Sequence, residues 1–183
     1  MSERVSVLIE RLTRLVQNDA QAEGLKPTQW EALRYIVRAN LFSRSPGALT
    51  AYLGMTKGTV SQTLQALERK GLIEKKTVDG DRRGVQLALT KAGHRILDKD
   101  PLNALAASIA GMPQDAQGTF ETTLENLIIE MLERRGGRAF GACKTCRHFR
   151  GKHSLGTPHF CSLLNESLSR SDSEQLCAEQ TAA

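Results

Sequence analysis

The spacing of apolar residues along the chain changes from a helical period to an alternating one and back. In the first twenty residues Val5, Leu8 and Leu12 follow one another at three- and four-residue steps, which predicts an amphipathic helix. Between Ile73 and Leu89 the period falls to two, and Asp79-Gly80 lies between the alternating runs, which predicts a β-hairpin. The whole pattern predicts six helices and one hairpin, a mainly α (α+β) fold.

The predicted helix that begins after Thr56 and ends before Gly71 has two different faces. Val60, Leu64 and Leu67 form an apolar stripe that would pack on a core. The opposite face has hydroxyl, amide and basic side chains, which can contact base edges and phosphates, and it has no acid that phosphates would repel. We predict that this face contacts DNA through Lys57, Thr59, Ser61, Gln62, Thr63 and Gln65.

The hairpin carries the second part of the predicted DNA surface. Lys75 lies on its first strand, and Arg82 and Arg83 lie at its tip, where guanidinium groups can enter a minor groove. Residues 57–95 contain nine Lys or Arg against four Asp or Glu, a surplus that equals the net charge of +5 of the whole chain. A helix-turn-helix followed by such a hairpin predicts a winged helix-turn-helix.

These residues resemble the multiple-antibiotic-resistance regulator (MarR) family of bacterial winged-helix transcription factors. The similarity covers roughly residues 1–136. The residues that carry it, in chain order, are Leu25-Lys26-Pro27-Thr28-Gln29-Trp30, Ala48-Leu49-Thr50, Leu53-Gly54, Thr59-Val60-Ser61, Leu67-Glu68-Arg69-Lys70-Gly71-Leu72-Ile73, Asp81-Arg82-Arg83, Leu89-Thr90 and Gly93.

The resemblance implies several properties of the chain. Members of this family form homodimers through intertwined terminal helices and place two recognition helices about 34–36 Å apart on a pseudo-palindromic operator. It also implies that Asp81 braces the wing arginines. We therefore expect a dimeric regulator of transcription, a repressor that blocks polymerase.

The sequence predicts two units of very different size. The winged-helix domain spans residues 1–136, with a DNA-binding core at about 27–95 and dimerisation helices at about 3–20 and 96–136. These terminal helices hold more apolar surface than the small core around Val60 and Leu64 can cover, and a dimer would cover the rest. The alternative is that their stripes are simply intramolecular core. Residues 137–183 form a small cysteine-rich extension.

All four cysteines of the chain lie in this extension. Cys143 and Cys146 form a C-x-x-C pair, which aims two thiolates at one point, and Cys161 and Cys177 can complete a tetrahedral set. The extension has few large apolar residues, so it needs a metal to fold. Four thiolates suit either zinc or an iron–sulfur cluster, and both alternatives stay open here.

Disulfides and free thiols are the alternatives to a metal centre in the extension. Two disulfides would be unusual in a reducing compartment, and redox-active free thiols are a further alternative. The spacing from Cys143 to Cys177, with Phe149 between them, loosely resembles a high-potential iron–sulfur protein. Three histidines, His148, His153 and His159, are expected to be solvated rather than metal ligands.

The remaining sequence excludes other classes of protein. There is no phosphate-binding glycine loop, no metalloprotease motif and no nucleophile elbow, so an enzyme is not expected. No apolar run approaches the roughly 20 residues of a membrane span, and a cytoplasmic location is expected. Two alternative functions stay open: an electron-carrier or metal-handling module on a dimer scaffold, and a regulator that senses a small molecule and has a structural zinc site.

Overall fold

The computed structural model describes residues 2–20, 23–77, 84–137, 139–151 and 158–181. Within these residues the fold is mainly helical, as predicted, and none of the helices is long and apolar enough to cross a membrane. The α-helices of the described chain are α1 (Ser2–Ala20), α2 (Pro27–Arg38), α3 (Pro46–Leu53), α4 (Lys57–Arg69), α5 (Lys91–Ile96), α6 (Leu102–Ala110), α7 (Gln114–Arg134) and α8 (Arg170–Glu174). The strands of the same part are β1 (Ile73–Thr77), β2 (Val85–Leu89), β3 (Gly141–Ala142), β4 (Phe149–Gly151), β5 (His159–Cys161), β6 (Glu166–Leu168) and β7 (Leu176–Cys177).

The main hydrophobic core lies where α2 packs against α3, α4 and β2. Trp30 on α2 is fully buried, and the predicted stripe of α4, Val60, Leu64 and Leu67, packs into the same core. Burial of these large apolar groups is what holds α4 in place, because each contributes roughly 1.5–3 kcal/mol. The opposite face of α4 is therefore presented outward.

Helix ends in this region have the residues that their geometry needs. Gly54 ends α3 in a left-handed conformation, and the Thr56 hydroxyl accepts a hydrogen bond from Thr59 N–H at 3.2 Å at the start of α4. Gly71 then follows α4 with a φ of +68°. The predicted start of α4 after Thr56 and its predicted end before Gly71 are both confirmed.

The predicted hairpin is also present with the expected bounds. Strands β1 and β2 pair antiparallel, with Ile73 opposite Leu89 and Thr77 opposite Val85. Leu87 of β2 is fully buried in the core, and its N–H donates to Arg44 O at 2.7 Å. The wing is therefore hydrogen-bonded to the segment that precedes α3.

One sequence pattern at a helix end is misleading. Thr28 followed by Glu31 has the spacing of a capping box and predicts one for α2, but this prediction is wrong: the helix begins at Pro27, and Gln29 Oε1 accepts from Lys26 N–H at 3.0 Å. The sequence also predicts a helix from Lys91 to Met112 that is interrupted at Pro101, and this break is confirmed: α5 and a 3₁₀ turn (Leu97–Lys99) precede Pro101, and α6 follows it.

Helices α1 and α7 leave large apolar side chains exposed. On α1, Leu8 is 55% exposed and Leu15 is 56% exposed, and on α7, Ile128 is 56% exposed. Phe120, Leu127 and Met131 of α7 are exposed as well, at the helical spacing predicted from the sequence. The described chain thus leaves uncovered the stripes that the sequence assigned to a dimer.

The extension after α7 contains short strands around a second, small core. Gly136, with a φ of +63°, follows α7. Strand β3 pairs with β7, and β4, β5 and β6 form an antiparallel sheet. Cys143, Cys161, Cys177 and Leu168 are the buried members of this core. The predicted domain boundary at residues 136–137 stays a prediction.

Candidate DNA-binding surface and four-cysteine site

The outward face of α4 carries most of the predicted DNA-contacting side chains. Thr59 and Ser61 are exposed on it, as are Lys57, Gln62 and Gln65. The Thr59 hydroxyl lies 2.9 Å from that of Thr56, so it is partly committed to the start of the helix. The other four are exposed groups of the kind that reads base edges or binds phosphates.

Thr63 does not lie on this face, and its assignment there is wrong. It is only 8% exposed, and its hydroxyl donates to Thr59 O at 3.0 Å. A residue three positions after Val60 and one before Leu64 falls on the core side of a helix with 3.6 residues per turn. Thr63 therefore supports packing of α4 rather than contact with DNA.

The wing places one predicted cation beside α4. Lys75 of β1 forms an ion pair with Glu68 at 2.7 Å, at the C-terminal end of α4. This exposed pair is worth little in stability, so the lysine can exchange it for a phosphate. The predictions for Asp81, Arg82 and Arg83 lie outside the described residues.

The four cysteines converge on one small site. A cavity of about 10 Å³ is lined by all of them, together with Phe149 and Leu168. Short antiparallel strand pairs position two of the cysteines: Cys161 of β5 lies opposite Phe149 of β4, and Cys177 of β7 lies opposite Gly141 of β3. The predicted C-x-x-C pair forms a tight turn, in which Cys146 N–H donates to Cys143 O at 2.9 Å.

Two of the sulfur atoms accept hydrogen bonds of defined geometry. Asn40 Nδ2 donates to Cys143 Sγ at 3.2 Å, and Thr181 N–H donates to Cys146 Sγ at 3.5 Å. Asn40 belongs to the winged-helix domain and is fully buried. Sequence analysis missed this residue, since a single asparagine after a helix carries no signal for a contact with a segment a hundred residues later.

Charge at the site is concentrated on Cys177. The pKa of Cys177 is lowered to about 6, chiefly by a hydrogen bond from the Cys143 thiol and further by the Glu179 backbone, Asn40 and Ser43, while burial opposes the shift. The pKa of Cys143 is raised by the same thiol–thiol hydrogen bond and by burial. One thiolate is therefore stabilised between these two residues.

The donor chemistry of the site fits a thiophilic metal. In the described part of the chain, no three His, Cys, Asp or Glu side chains are already spaced to hold one ion. Zinc lies about 2.3 Å from each sulfur ligand, so the thiols would have to close in around it. All four cysteines are free thiols here, and none is paired in a disulfide.

The histidines of the extension occupy different positions. His148 lines the cysteine cavity, and the His159 ring packs on Phe149 with centroids 4.9 Å apart. His153 lies outside the described residues. That all three are solvated groups outside the metal shell stays a prediction.

The helix-turn-helix with its paired wing defines a winged-helix protein, and known sequences are similar to part of it. A profile of the MarR family matches residues 23–84. The transcriptional repressor MprA of Escherichia coli strain K12 is 30% identical over 92 residues, which is 50% of each chain. The uncharacterised HTH-type transcriptional regulator YkoM of Bacillus subtilis strain 168 is 30% identical over 105 residues, covering 54% of this chain and 65% of that protein.

Solved structures agree with these matches. FabT of Streptococcus pneumoniae, solved in complex with DNA, is 26% identical, with a TM-score of 0.58 over 73% of this chain and 99% of that one. Apo MarR of Escherichia coli is 21% identical, with a TM-score of 0.54 over 69% of this chain and 96% of that one, and shows the same fold. The chain spans about half the length of the curated repressor it matches. Residues 23–84 thus match the MarR family of transcription regulators, and the described winged-helix fold is shared with FabT and MarR.

Proposed function

We propose that the chain is a sequence-specific DNA-binding regulator that inserts α4 into the major groove. The observation that carries this proposal is the outward face of α4, which has Lys57, Ser61, Gln62 and Gln65 exposed while the opposite stripe anchors the helix in the core. Such side chains bind phosphates and base edges. FabT, a structural relative with the same fold, was solved in complex with DNA.

The DNA-binding unit in this proposal is a homodimer. The exposed apolar residues of α1 and α7 form contiguous stripes and are not isolated on the surface. Contiguous apolar patches of this kind mark interaction surfaces. A two-fold dimer would place two copies of α4 in successive major grooves about 34–36 Å apart. The expected operator is therefore a pseudo-palindrome with half-sites one helical turn apart.

Repression is the proposed outcome of binding. A dimer that occupies two successive grooves at a promoter prevents polymerase from using the same DNA. MprA, which is similar to half of this chain, is a transcriptional repressor. In vitro transcription from a promoter that contains the bound sequence tests this directly. Added protein should lower transcript yield from that template and leave a template without the sequence unaffected.

Selection of bound duplexes from a random-sequence library tests the DNA-binding proposal itself. We expect enriched sequences that bind at least about 10³-fold more tightly than unselected DNA, the lower end for specific binders. The competing hypothesis is an electron-carrier or metal-handling module on a dimer scaffold. Such a protein would not need to bind heparin or bulk DNA at low salt. Absence of both retention and enrichment would favour that idea.

We further propose that the four cysteines hold one metal centre, zinc or an iron–sulfur cluster. What supports it is the convergence of Cys143, Cys146, Cys161 and Cys177 on one cavity, with N–H donors directed at two of the sulfurs. When bound, the centre would supply either a structural cross-link or, as a cluster, a response to iron, oxygen or redox state.

Metal analysis and an absorption spectrum of protein purified without oxygen test this second proposal. Brown protein with iron and sulfide identifies a cluster, and colourless protein with one zinc per chain identifies a structural site. Cys161→Ser should lose the metal, while Ser162→Ala, the neighbouring control whose hydroxyl donates to His148 O, should keep it. Protein with neither metal nor free thiols would instead have disulfides and would contradict the proposal.

A separate cavity favours small-molecule sensing as a second candidate function. It measures about 200 Å³ and lies between α1, α2 and α6, where a ligand would touch both the terminal helices and the DNA-binding core. Leu12 and Leu105 give it an apolar wall, and Glu31 and Arg34 give it polar groups. Burial raises the pKa of Glu31, against the lowering effect of Arg34.

A further inference from the structure

The seven residues between α2 and α3, called here the 39–45 segment, contact the cysteine site on one side. Asn40 N–H donates to Leu176 O at 2.8 Å, and its side-chain amide donates to Cys143 Sγ at 3.2 Å. Ser43 Oγ accepts from Ala178 N–H at 2.8 Å. The residues on both sides of Cys177 are therefore hydrogen-bonded to this segment.

Asn40 and Ser43 are themselves tightly held. Both are almost completely buried, and Asn40 Oδ1 accepts from Ser43 N–H at 2.9 Å. Ser43 O accepts from the Tyr35 hydroxyl of α2 at 2.6 Å. In a buried network of this kind each polar group depends on its partner, because an unsatisfied one costs about 1–3 kcal/mol.

The other side of the 39–45 segment contacts the DNA-binding elements. Arg44 O accepts from Leu87 N–H of β2 at 2.7 Å, and Leu41 O accepts from the Gln86 side-chain amide at 3.1 Å. Ser45 caps α3, since its hydroxyl accepts from Ala48 N–H at 3.1 Å. One short segment thus connects two of the thiols with the wing and with the helix that supports α4.

We infer that occupancy of the four-cysteine centre and affinity for DNA are coupled through the 39–45 segment, with Asn40 and Ser43 as the positioning residues. This rests on the proposed DNA binding and metal centre. The extension has a small core, so metal binding is what holds β7 against Asn40 and Ser43. With the metal bound, the segment holds β2 and α3 in the arrangement that presents α4 to DNA.

Coupling of this kind has a defined size and is reciprocal. Loss of the metal should weaken DNA binding by about 5- to 150-fold, the usual range for coupled sites, and DNA should strengthen metal binding by the same factor. The direction of the effect is also specified. Metal-loaded protein should bind DNA more tightly than stripped protein, because the bound metal holds the 39–45 segment in place.

The experiment compares DNA affinity of full-length protein as purified without oxygen with that of protein stripped by a chelator, using the selected duplex. The wild type should show the 5- to 150-fold loss on stripping, while Ser43→Ala, which removes the hydroxyl that accepts from Ala178 N–H, should still bind metal and DNA but show a ratio near one. Asn40→Ala should reduce the ratio as well, and metal analysis of this variant gives the fraction that is loaded. Asn103→Ala, an asparagine whose amide donates to Leu97 O and Asp98 O away from the segment, is the control and should keep the wild-type ratio.

Hydrogen exchange of the wild type gives a readout that needs no substitution. Stripping the metal should speed exchange at the N–H groups of Ser43, Leu87 and Ala178 and leave those in the middle of α4 unchanged. Equal DNA affinity of loaded and stripped wild-type protein, with unchanged exchange at these three groups, would overturn the coupling while leaving DNA binding intact. Failure of loaded protein to bind any duplex would overturn the proposed function as well.

Discussion

Arg34 and Asp100 form a two-pronged ion pair that joins α2 of the DNA-binding core to the turn before α6. Arg34 Nε and Nη2 each donate to a different carboxylate oxygen at 2.7 Å, and Asp100 Oδ1 also accepts from Leu102 N–H at 2.9 Å. Asp100 is 8% exposed. The pair therefore sets how the winged helix sits on the helices that lead to α7.

Asp100→Asn should destabilise the protein by about 2–3 kcal/mol, because Arg34 would lose its charged partner in a largely buried position. The full 3–5 kcal/mol of a completely buried pair is not expected, since Arg34 keeps some contact with solvent. Urea unfolding measures the change. Glu23→Gln, which removes the exposed pair with Lys99, is the control and should cost less than about 1 kcal/mol. Equal effects of the two substitutions would contradict this account of the pair.

Gly93→Ala should be strongly destabilising. A Cβ at this position would lie 2.0 Å from Leu72 O, and backbone at the start of the wing has no room to give way. We expect a cost of at least about 2 kcal/mol, in the upper part of the range for overpacking. Gly58→Ala on α4, where a Cβ would lie 3.8 Å from Thr56 Oγ1 at an ordinary van der Waals distance, should instead stabilise by about 0.5–1 kcal/mol. Thermal unfolding of the two variants side by side checks both signs, and a tolerated Gly93→Ala would show that the contact is not limiting.

Ile128→Asp should convert the dimer to monomers, because it places a charge in the exposed apolar stripe of α7. Asn126→Asp adds the same charge on the opposite face of the helix and should leave the dimer intact. Sedimentation velocity over a range of concentrations distinguishes the two outcomes. A wild-type protein that stays monomeric at high concentration, or a dimer unaffected by Ile128→Asp, would rule out this interface.

Alanine substitutions of Lys57 and Gln62 should change DNA binding in different ways. Lys57→Ala should weaken binding to all duplexes alike and reduce the slope of log K against log salt by about 0.9, the value for one lost phosphate contact. Arg83→Ala at the wing should act similarly. Gln62→Ala should keep the slope and change the preference at one base pair by about 1–3 kcal/mol.

Lys99→Ala is the matched control for the first of these variants, since it removes one exposed cation away from α4. Fluorescence anisotropy at several salt concentrations gives both affinity and slope. If Lys99→Ala and Lys57→Ala reduced affinity and slope equally, binding would reflect net charge rather than the face of α4.

Local signals explain which parts of the fold were predictable. The bounds of β1 and β2 followed from alternation around Asp79-Gly80, and the start of α4 followed from Thr56, because turn and cap residues act over a few positions. Thr63 was misassigned because its hydroxyl suggested an exposed position, whereas its place one residue before Leu64 puts it on the core side of the helix.

At the cysteine site the candidate ligands were predictable from the sequence, but the strands and contacts that position them were not. The four ligand candidates were identifiable from cysteine spacing alone, but strands as short as β3 and β7 have no measurable periodicity. The contacts of Asn40 and Ser43 with this site join residues more than a hundred positions apart, and only the folded chain shows them.

The most direct test of the central claim is the dependence of DNA affinity on the spacing between two copies of the selected half-site. With centres one helical turn apart, about 10–10.5 base pairs, we predict tight binding of two chains per duplex. Moving one half-site by half a turn should abolish most of the affinity, because the second copy of α4 would face the wrong side of the duplex. Equal affinity at all spacings, or binding of one chain per duplex, would contradict a dimeric winged-helix regulator.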